Sequence, residues 1–388
     1  MRLLFLAGDY PPAFGGIQKL VHGLCVALVA AGHEVRIIAA AQAGAEAIDT
    51  ASGIPTVRCP TPGRLRAAWN MGRAVRRALA DGWTPEAIVA TKWSPEGHAY
   101  LAAGGRGQAP MVLMGYGREF LPEPHRRLRG IAQRAVLRTA CGVVACSRFT
   151  ASQFEAAGVE TGRIRVVYPG VDPAEFAPSA DLEAARRRLA WPEGPTLLTV
   201  GRLVRRKGVD TVIEALPRIA VAVPEVSYVV IGGGPEAERV RRQAQDLGVG
   251  ERVRMLGSAS DADKVAALHL CSVFAMPSRD LPTEPPEGFG IVYQEANLCG
   301  KPVIGANTGG VAEAIEDGVS GLLIEPDAPE QFADAAIALL SDPALAASLG
   351  EAGGRRAAER FAWRAIAPSY AAAVAELISV RGQSAKCS

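Results

Sequence analysis

RLLFLAGDYPPAFGGIQKLVHGLCVALVAAGHEVRIIAA, residues 2–40, decides the fold class. RLLFLAG (2–8) is a short apolar run closed by turn residues, the pattern of a strand buried on both faces. Ile17 to Ala31 follows with Leu20, Val21, Leu24 and Leu28 on one face, which predicts a helix closed by Gly32. EVRIIAA (34–40) reads as a second strand. Strand, helix and strand in this order predict a parallel sheet wrapped by helices, the α/β doubly wound class. Gly15-Gly16 falls between the first strand and its helix. Ligands of such sheets bind beyond the carboxyl ends of the strands, and glycine lets the backbone approach a phosphate closely. A tight turn explains the same two glycines.

Moving outward, EAIVAT (86–91), PMVLMGYG (110–117), CGVVACS (141–147) and IRVVYPGVD (164–172) continue the strand series. Pro169, Pro173 and Pro178 then mark a junction. The pattern restarts with PTLLTVG (195–201), SYVVIGGGPE (227–236), RVRMLG (252–257), SVFAMPS (272–278), KPVIGA (301–306) and GLLIEP (321–326). Two Rossmann-like domains are predicted, 1–174 and 175–388. The terminal helix at about 361–379 is a candidate to pack back on the first.

The 388 residues suit two domains, and 49 % hydrophobic residues give each a core. A net charge of +2 argues against nucleic acid as a partner. The seven cysteines are scattered without a CxxC pair, which predicts a reduced, cytoplasmic chain. MRLLFLAGDYPP, broken by Asp9 and Pro11, reads as a first strand and not as a secretory signal.

Two stretches are basic and amphipathic. RLRAAWNMGRAVRRALADG (64–82) sets Leu65, Ala68, Trp69, Val75 and Leu79 on an apolar stripe and gathers Arg66, Arg73, Arg76 and Arg77 on another face. HRRLRGIAQRAVLRTA (125–140) carries five arginines and no acid. Such helices suit an anionic lipid surface. A solvated helix face is the alternative, in a chain whose default cation is arginine: only six of its residues are lysine.

PEGFGIVYQEANLCG (286–300) carries the chemistry. Glu287 and Glu295 flank Gly288-Phe289-Gly290 and an apolar run, which predicts a loop turning into a helix near Gly290 and stopping at Gly300. The free N–H groups of a helix start attract anions. A carboxylate on each side of an anion site suits a diphosphate with a hydroxyl-bearing sugar at either end, the shape of a nucleotide-sugar.

Taken together, YPPAFGGIQ (10–18), GHEV (32–35), PGVD (169–172), GRLVRRKG (201–208), GGGPE (232–236), MPSR…EGFGIVYQEA (276–296) and PVIGANTGGVAEAIEDGVSGLLIEP (302–326) resemble the group 4 retaining glycosyltransferases along essentially the whole chain. The resemblance implies a GT-B fold, α/β with two facing Rossmann-like domains and a cleft between them. The N-terminal domain would take the acceptor and the C-terminal domain the donor. It implies that Arg202 and Lys207 grip the donor diphosphate and that Glu287 lies near the transferred sugar. Glu295 would accept hydrogen bonds from the ribose. The N–H groups of Phe289, Gly290 and Ile291 would hold sugar or phosphate oxygens. Gly15 and Gly16 would approach the diphosphate, and Met255 to Gly257 the base. No metal and no cofactor are expected, the nucleotide-sugar being a co-substrate. Many members carry a histidine in the loop after the strand at 110–114. Here Tyr116 stands in that place, with Arg118 and Glu119 candidates to face the acceptor. His98 reads as a structural histidine.

GFGIVYQEA is most similar to the branch that includes the phosphatidylinositol mannosyltransferases. That implies GDP-mannose as donor and a lipid-linked or saccharide acceptor, with peripheral attachment to the inner face of the membrane. UDP-glucose and UDP-N-acetylglucosamine stay open as donors. So does a nucleotide-sugar epimerase of the same architecture, which the Glu287/Glu295 spacing and the Arg202/Lys207 pair disfavour. A dinucleotide oxidoreductase would need GxGxxG directly after the first strand, and residues 8–16 do not provide it.

Overall fold

The computed structural model describes residues 1–13, 15–80, 82–105, 109–117, 126–178 and 181–384, without the side chains of 126–129 and 380–384. The chain divides into two compact units, Met1–Gly170 joined by Trp363–Ser388, and Val171–Ala362. The first unit holds seven strands among its described residues: β1 (Arg2–Ala7), β2 (Glu34–Ala40), β3 (Thr56–Cys59), β4 (Ala87–Ala90), β5 (Met111–Gly115), β6 (Gly142–Ala145) and β7 (Ile164–Val166). They pair in the order β3-β2-β1-β4-β5-β6-β7, all parallel. The second holds β8 (Thr196–Val200), β9 (Ser227–Ile231), β10 (Val253–Gly257), β11 (Val273–Met276), β12 (Val303–Ala306) and β13 (Gly321–Ile324). Their order is β10-β9-β8-β11-β12-β13, again all parallel.

Both sheets are buried by helices on their faces, so the central strands are mostly apolar, and the two buried threonines of β8 are hydrogen-bonded, Thr199 to Tyr228 and Thr196 to the Gly194 carbonyl. In the first unit Leu4, Leu6, Ile38, Ile88 and Leu113 meet Met71, Val75, Val136 and Phe154. In the second Leu197, Tyr228 and Ile304 meet Ile213, Leu216 and Phe332. β3 is a strand that the sequence pattern does not announce. It has four residues, lies between Pro55 and Pro60 and forms the sheet edge. An edge strand has one neighbour and tolerates Arg58 in mid-strand.

The last helix, Trp363–Ser384, belongs to the first unit. Its Trp363 ring lies where a Cβ on Gly23 or Gly170 would stand, and Tyr370 stacks on Phe5 with ring centroids 6.4 Å apart. Arg165 on β7 pairs with Glu376 at 2.6 Å. Strand order reverses between β1 and β4 in one sheet and between β8 and β11 in the other. Loops leaving such a pair part in opposite directions and leave a crevice beyond the strand ends. Among the described residues no single helix is long and apolar enough to cross a membrane.

Candidate active site

The GRLVRRKG loop leaves β8 and the loop carrying Glu287 leaves β11, so both start at the reversal point of the second sheet. The β8 loop ends in a short 3-10 turn, Arg205–Lys207, followed by Gly208 at φ 70°. A Cβ on Gly208 would lie 1.9 Å from the Pro277 carbonyl oxygen, so only glycine lets the two loops touch backbone to backbone. The Arg279 N–H donates to the Arg206 carbonyl at 2.8 Å, and the Arg206 N–H donates to Glu284 Oε2 at 3.3 Å. The loop after β12 supports them from the other side: the Gly310 N–H donates to the Glu287 carbonyl at 2.8 Å. A Cβ on Gly310 would stand 2.0 Å from the Gly288 oxygen.

This packing brings three charges together. Glu287 Oε2 accepts from Lys207 Nζ at 2.5 Å and from Arg206 Nη1 at 2.7 Å. The three side chains are 14 %, 11 % and 17 % exposed in that order, so water screens them little. Burial alone would raise the Glu287 carboxyl. Lys207 and Arg206 outweigh it by charge and hydrogen bond and hold it down at about 2. Burial pulls the Lys207 ammonium below its usual range while Glu287 pulls it back up. Because both cations sit on Oε2, no bond is made to Oε1 among the described residues.

A second charged group lies at the base of the same loops. Arg279, 8 % exposed, pairs with Asp210 at 2.7 Å at the start of the helix Val209–Ala222. It also reaches Thr211 Oγ1 at 2.5 Å and Asp327 at 2.8 Å. A loop tied to two neighbours by a buried guanidinium holds its shape before ligand arrives.

The remaining sites named from sequence fall as follows. Glu295 lies in the helix Ile291–Leu298 and pairs with Lys264 at 2.9 Å. Lys264 in turn lies over the Phe176 ring, 5.4 Å from its centroid. Phe289 is buried edge-on to Phe361, Gly290 caps the helix at φ 89°, and Ile291 is its first residue. Met255 is half-buried on β10. Arg202 is exposed and enters no ion pair among the described residues. In the first unit, Gly15 precedes the helix Gly16–Ala30. Tyr116 is buried, its hydroxyl donating to Met114 Sδ at 3.3 Å. His98 is half-buried against Trp93 and its pKa is lowered by burial. Arg118 and Glu119 lie outside the described residues. The sequence does not single out Arg206, Lys264 or Arg279. Arg205-Arg206-Lys207 are three adjacent cations, and only the 3-10 turn decides which of them reach Glu287.

Two parallel α/β units, the second with a cation–carboxylate group at its sheet reversal, define a transferase of the GT-B class. The chain belongs to the group 4 glycosyltransferases: residues 14–175 match the family described as Glycosyltransferase Family 4, and residues 181–356 match Glycosyl transferases group 1. It is a hexosyltransferase of the retaining kind that this family comprises. A GDP-mannose-dependent alpha-(1-6)-phosphatidylinositol monomannoside mannosyltransferase of Mycolicibacterium smegmatis is 33 % identical, over 98 % of both chains. A D-inositol 3-phosphate glycosyltransferase of Acidothermus cellulolyticus is 38 % identical over 63 % of this chain and 54 % of its own. Among solved structures, Anabaena Alr3699/HepE in complex with UDP and glucose matches with a TM-score of 0.79 at 23 % identity, over 97 % of this chain and 99 % of that one.

Proposed function

We propose that the protein transfers a mannosyl group from GDP-mannose to a hydroxyl of a lipid-linked or saccharide acceptor, with retention at the anomeric carbon. The observation that carries this reading is Glu287 held by Lys207 and Arg206 at the reversal of the second sheet. The Mycolicibacterium relative favours GDP-mannose as the donor. The UDP complex of the Anabaena structure makes a UDP-sugar the competing reading.

In this reading the C1–O bond to the β-phosphate breaks. The acceptor oxygen bonds C1 from the same face, and its proton passes to the departing phosphate oxygen. Lys207 and the exposed Arg202 meet the charge that grows on the leaving diphosphate. Glu287 Oε1 orients the sugar, Glu295 takes the ribose hydroxyls, and the N–H groups of Phe289, Gly290 and Ile291 hold oxygens of the sugar or phosphate. Gly15 and Gly16 serve the diphosphate from the acceptor-binding unit, and Met255 lies by the base.

A lipid acceptor is supported by the helix Arg64–Ala80. The buried face of this helix is Ala67, Ala68, Met71, Ala74 and Val75, so Leu65 and Trp69, expected on the apolar stripe, instead stand 86 % and 57 % exposed on the side of Arg66, Arg73, Arg76 and Arg77. A cationic face with an exposed aromatic suits peripheral contact with an anionic inner leaflet. Sedimentation with vesicles tests this: equal binding with and without anionic headgroups would sink it.

The donor is tested by thermal shift. GDP is expected to raise the melting temperature at millimolar concentration more than UDP or ADP, and GDP-mannose more than other sugar nucleotides. No shift with any of the three diphosphates, or unchanged transfer in both Lys207→Ala and Glu287→Ala, would overturn the site assignment.

A further inference from the structure

The loop between β1 and the helix Gly16–Ala30 leads to Gly15 and Gly16. Its first residues are held from the β4 side: the Gly8 N–H donates to Glu96 Oε1 at 2.8 Å, and Asp9 pairs with Lys92 at 2.7 Å. Tyr10, Pro11 and Pro12 come next. Neither proline has an N–H, so this stretch cannot fasten itself through backbone donors. The Ala13 N–H only reaches back to the Tyr10 carbonyl, at 3.3 Å. What the stretch offers its surroundings is the Pro11 carbonyl, and that oxygen accepts from Arg58 Nη2 at 2.9 Å.

Arg58 stands in mid-strand on β3, and its guanidinium reaches three further groups. Nε and Nη2 donate to the two carboxylate oxygens of Asp49, in the helix Ala45–Ser52, at 2.9 and 2.6 Å. Nη1 donates to the carbonyl of Ala40, the last residue of β2, at 3.0 Å. The guanidinium carbon lies 5.3 Å from the centre of the buried Tyr10 ring. The Tyr10 hydroxyl in turn lies 2.9 Å from Nδ1 of His22, on the helix that Gly16 begins. One side chain, 14 % exposed, therefore ties the middle of the loop to β2, to β3 and to a neighbouring helix. Stability alone does not call for an arginine here, since apolar residues of similar volume often hold a fold as well as a buried ion pair does. What a planar fork adds is position, because it fixes four acceptor oxygens at once.

We propose that Arg58 is a positioning residue for the transfer reaction: it sets the place of the loop that carries Gly15 and Gly16, and acts through them on the donor diphosphate. The inference rests on the reading above that gives these two glycines the diphosphate. Arg58 is the part that reading lacks, the group that holds a loop with two consecutive prolines in one place before the donor arrives.

The test uses the full chain and compares GDP with GMP, and UDP with UMP, by titration calorimetry. Each pair differs only in the terminal phosphate, so the ratio of the two dissociation constants reads the contacts made to that phosphate. Arg58→Lys keeps a charge beside Asp49, but an ammonium is a point donor and does not span the four acceptors. It is expected to weaken diphosphate binding about tenfold and to change monophosphate binding less than about twofold. Asp49→Asn is the counterpart. It removes the ion pair and leaves an amide oxygen for Arg58, so its melting temperature is expected to fall at least as far while the ratio stays at the wild-type value. A residue that served stability alone would move the melting temperature in both variants and the ratio in neither. An unchanged ratio in Arg58→Lys, or an equal fall of the ratio in both variants, would overturn the proposal and leave the donor site standing. A wild type that binds neither diphosphate more tightly than its monophosphate would overturn the donor reading and this inference with it. A wild type that prefers UDP to GDP corrects the base alone, and the UDP/UMP ratio then decides on Arg58.

Discussion

Glu287 carries two cations on one oxygen, and that arrangement sets its titration. Its folded pKa, about 2, lies below the ordinary glutamate value. Its contribution to stability is therefore complete above the unfolded pKa and is lost as pH falls through the folded one. In the wild type, donor binding is expected to show no titration from this group above pH 4, a value on the order of the unperturbed pKa. Arg206→Gln removes one cation and lets burial push the carboxyl up, so an acid limb should appear in a GDP-mannose titration between about pH 4 and pH 7. A flat profile in the variant would show that Lys207 alone suffices. Glu96 has the opposite sign: burial raises its pKa, against Lys92, so its contribution is present at low pH and fades as pH rises. Glu96→Gln keeps an acceptor for the Gly8 N–H and cannot ionise. Its melting temperature is expected to fall less than the wild type's as pH rises above the ordinary carboxylate range. Glu287 is legible in the sequence because two carboxylates flank a glycine-rich helix start at fixed spacing. Glu96 is not: one buried charge leaves no periodic mark, and the nearby His98 draws the eye first.

At the scale of elements, the site is three loops in backbone contact at the ends of β8, β11 and β12. Gly208 is the tightest of these contacts, and any side chain there meets both a positive φ and the Pro277 oxygen. Gly208→Ala is expected to destabilise the second unit by about 2 kcal/mol and to part the loops, raising the donor KM more than tenfold. A calorimetric scan with unchanged melting would mean that the loops slide apart without cost. The strands and the helix at Ile291 are legible because apolar runs and glycines punctuate them, whereas Lys207 stands out only through the family resemblance, which pairs it with Arg202 and not with Arg206. β3 and the turn that selects Arg206 are less so, since short edge strands and single turns depend on their neighbours more than on their own residues.

At the scale of the molecule, the chain leaves the first unit at Gly170 and returns to it at Trp363. The returning helix covers β5, β6 and β7 and closes on Gly23 and Gly170 through Trp363. Removing residues 363–388 is expected to unfold the first unit while the second, intact in sequence, still melts cooperatively. Two separable calorimetric transitions in the full chain, reduced to one in the truncated chain, would bear this out, and an unchanged thermogram would refute it. The same connectivity has a consequence for biosynthesis. The ribosome delivers the second unit whole before it releases the segment that completes the first. The earliest-made sheet must therefore wait, with part of its apolar face uncovered, for the helix that begins at Trp363 to leave the exit tunnel. A stalled or prematurely ended translation product would expose the older half of the protein and not the newer one.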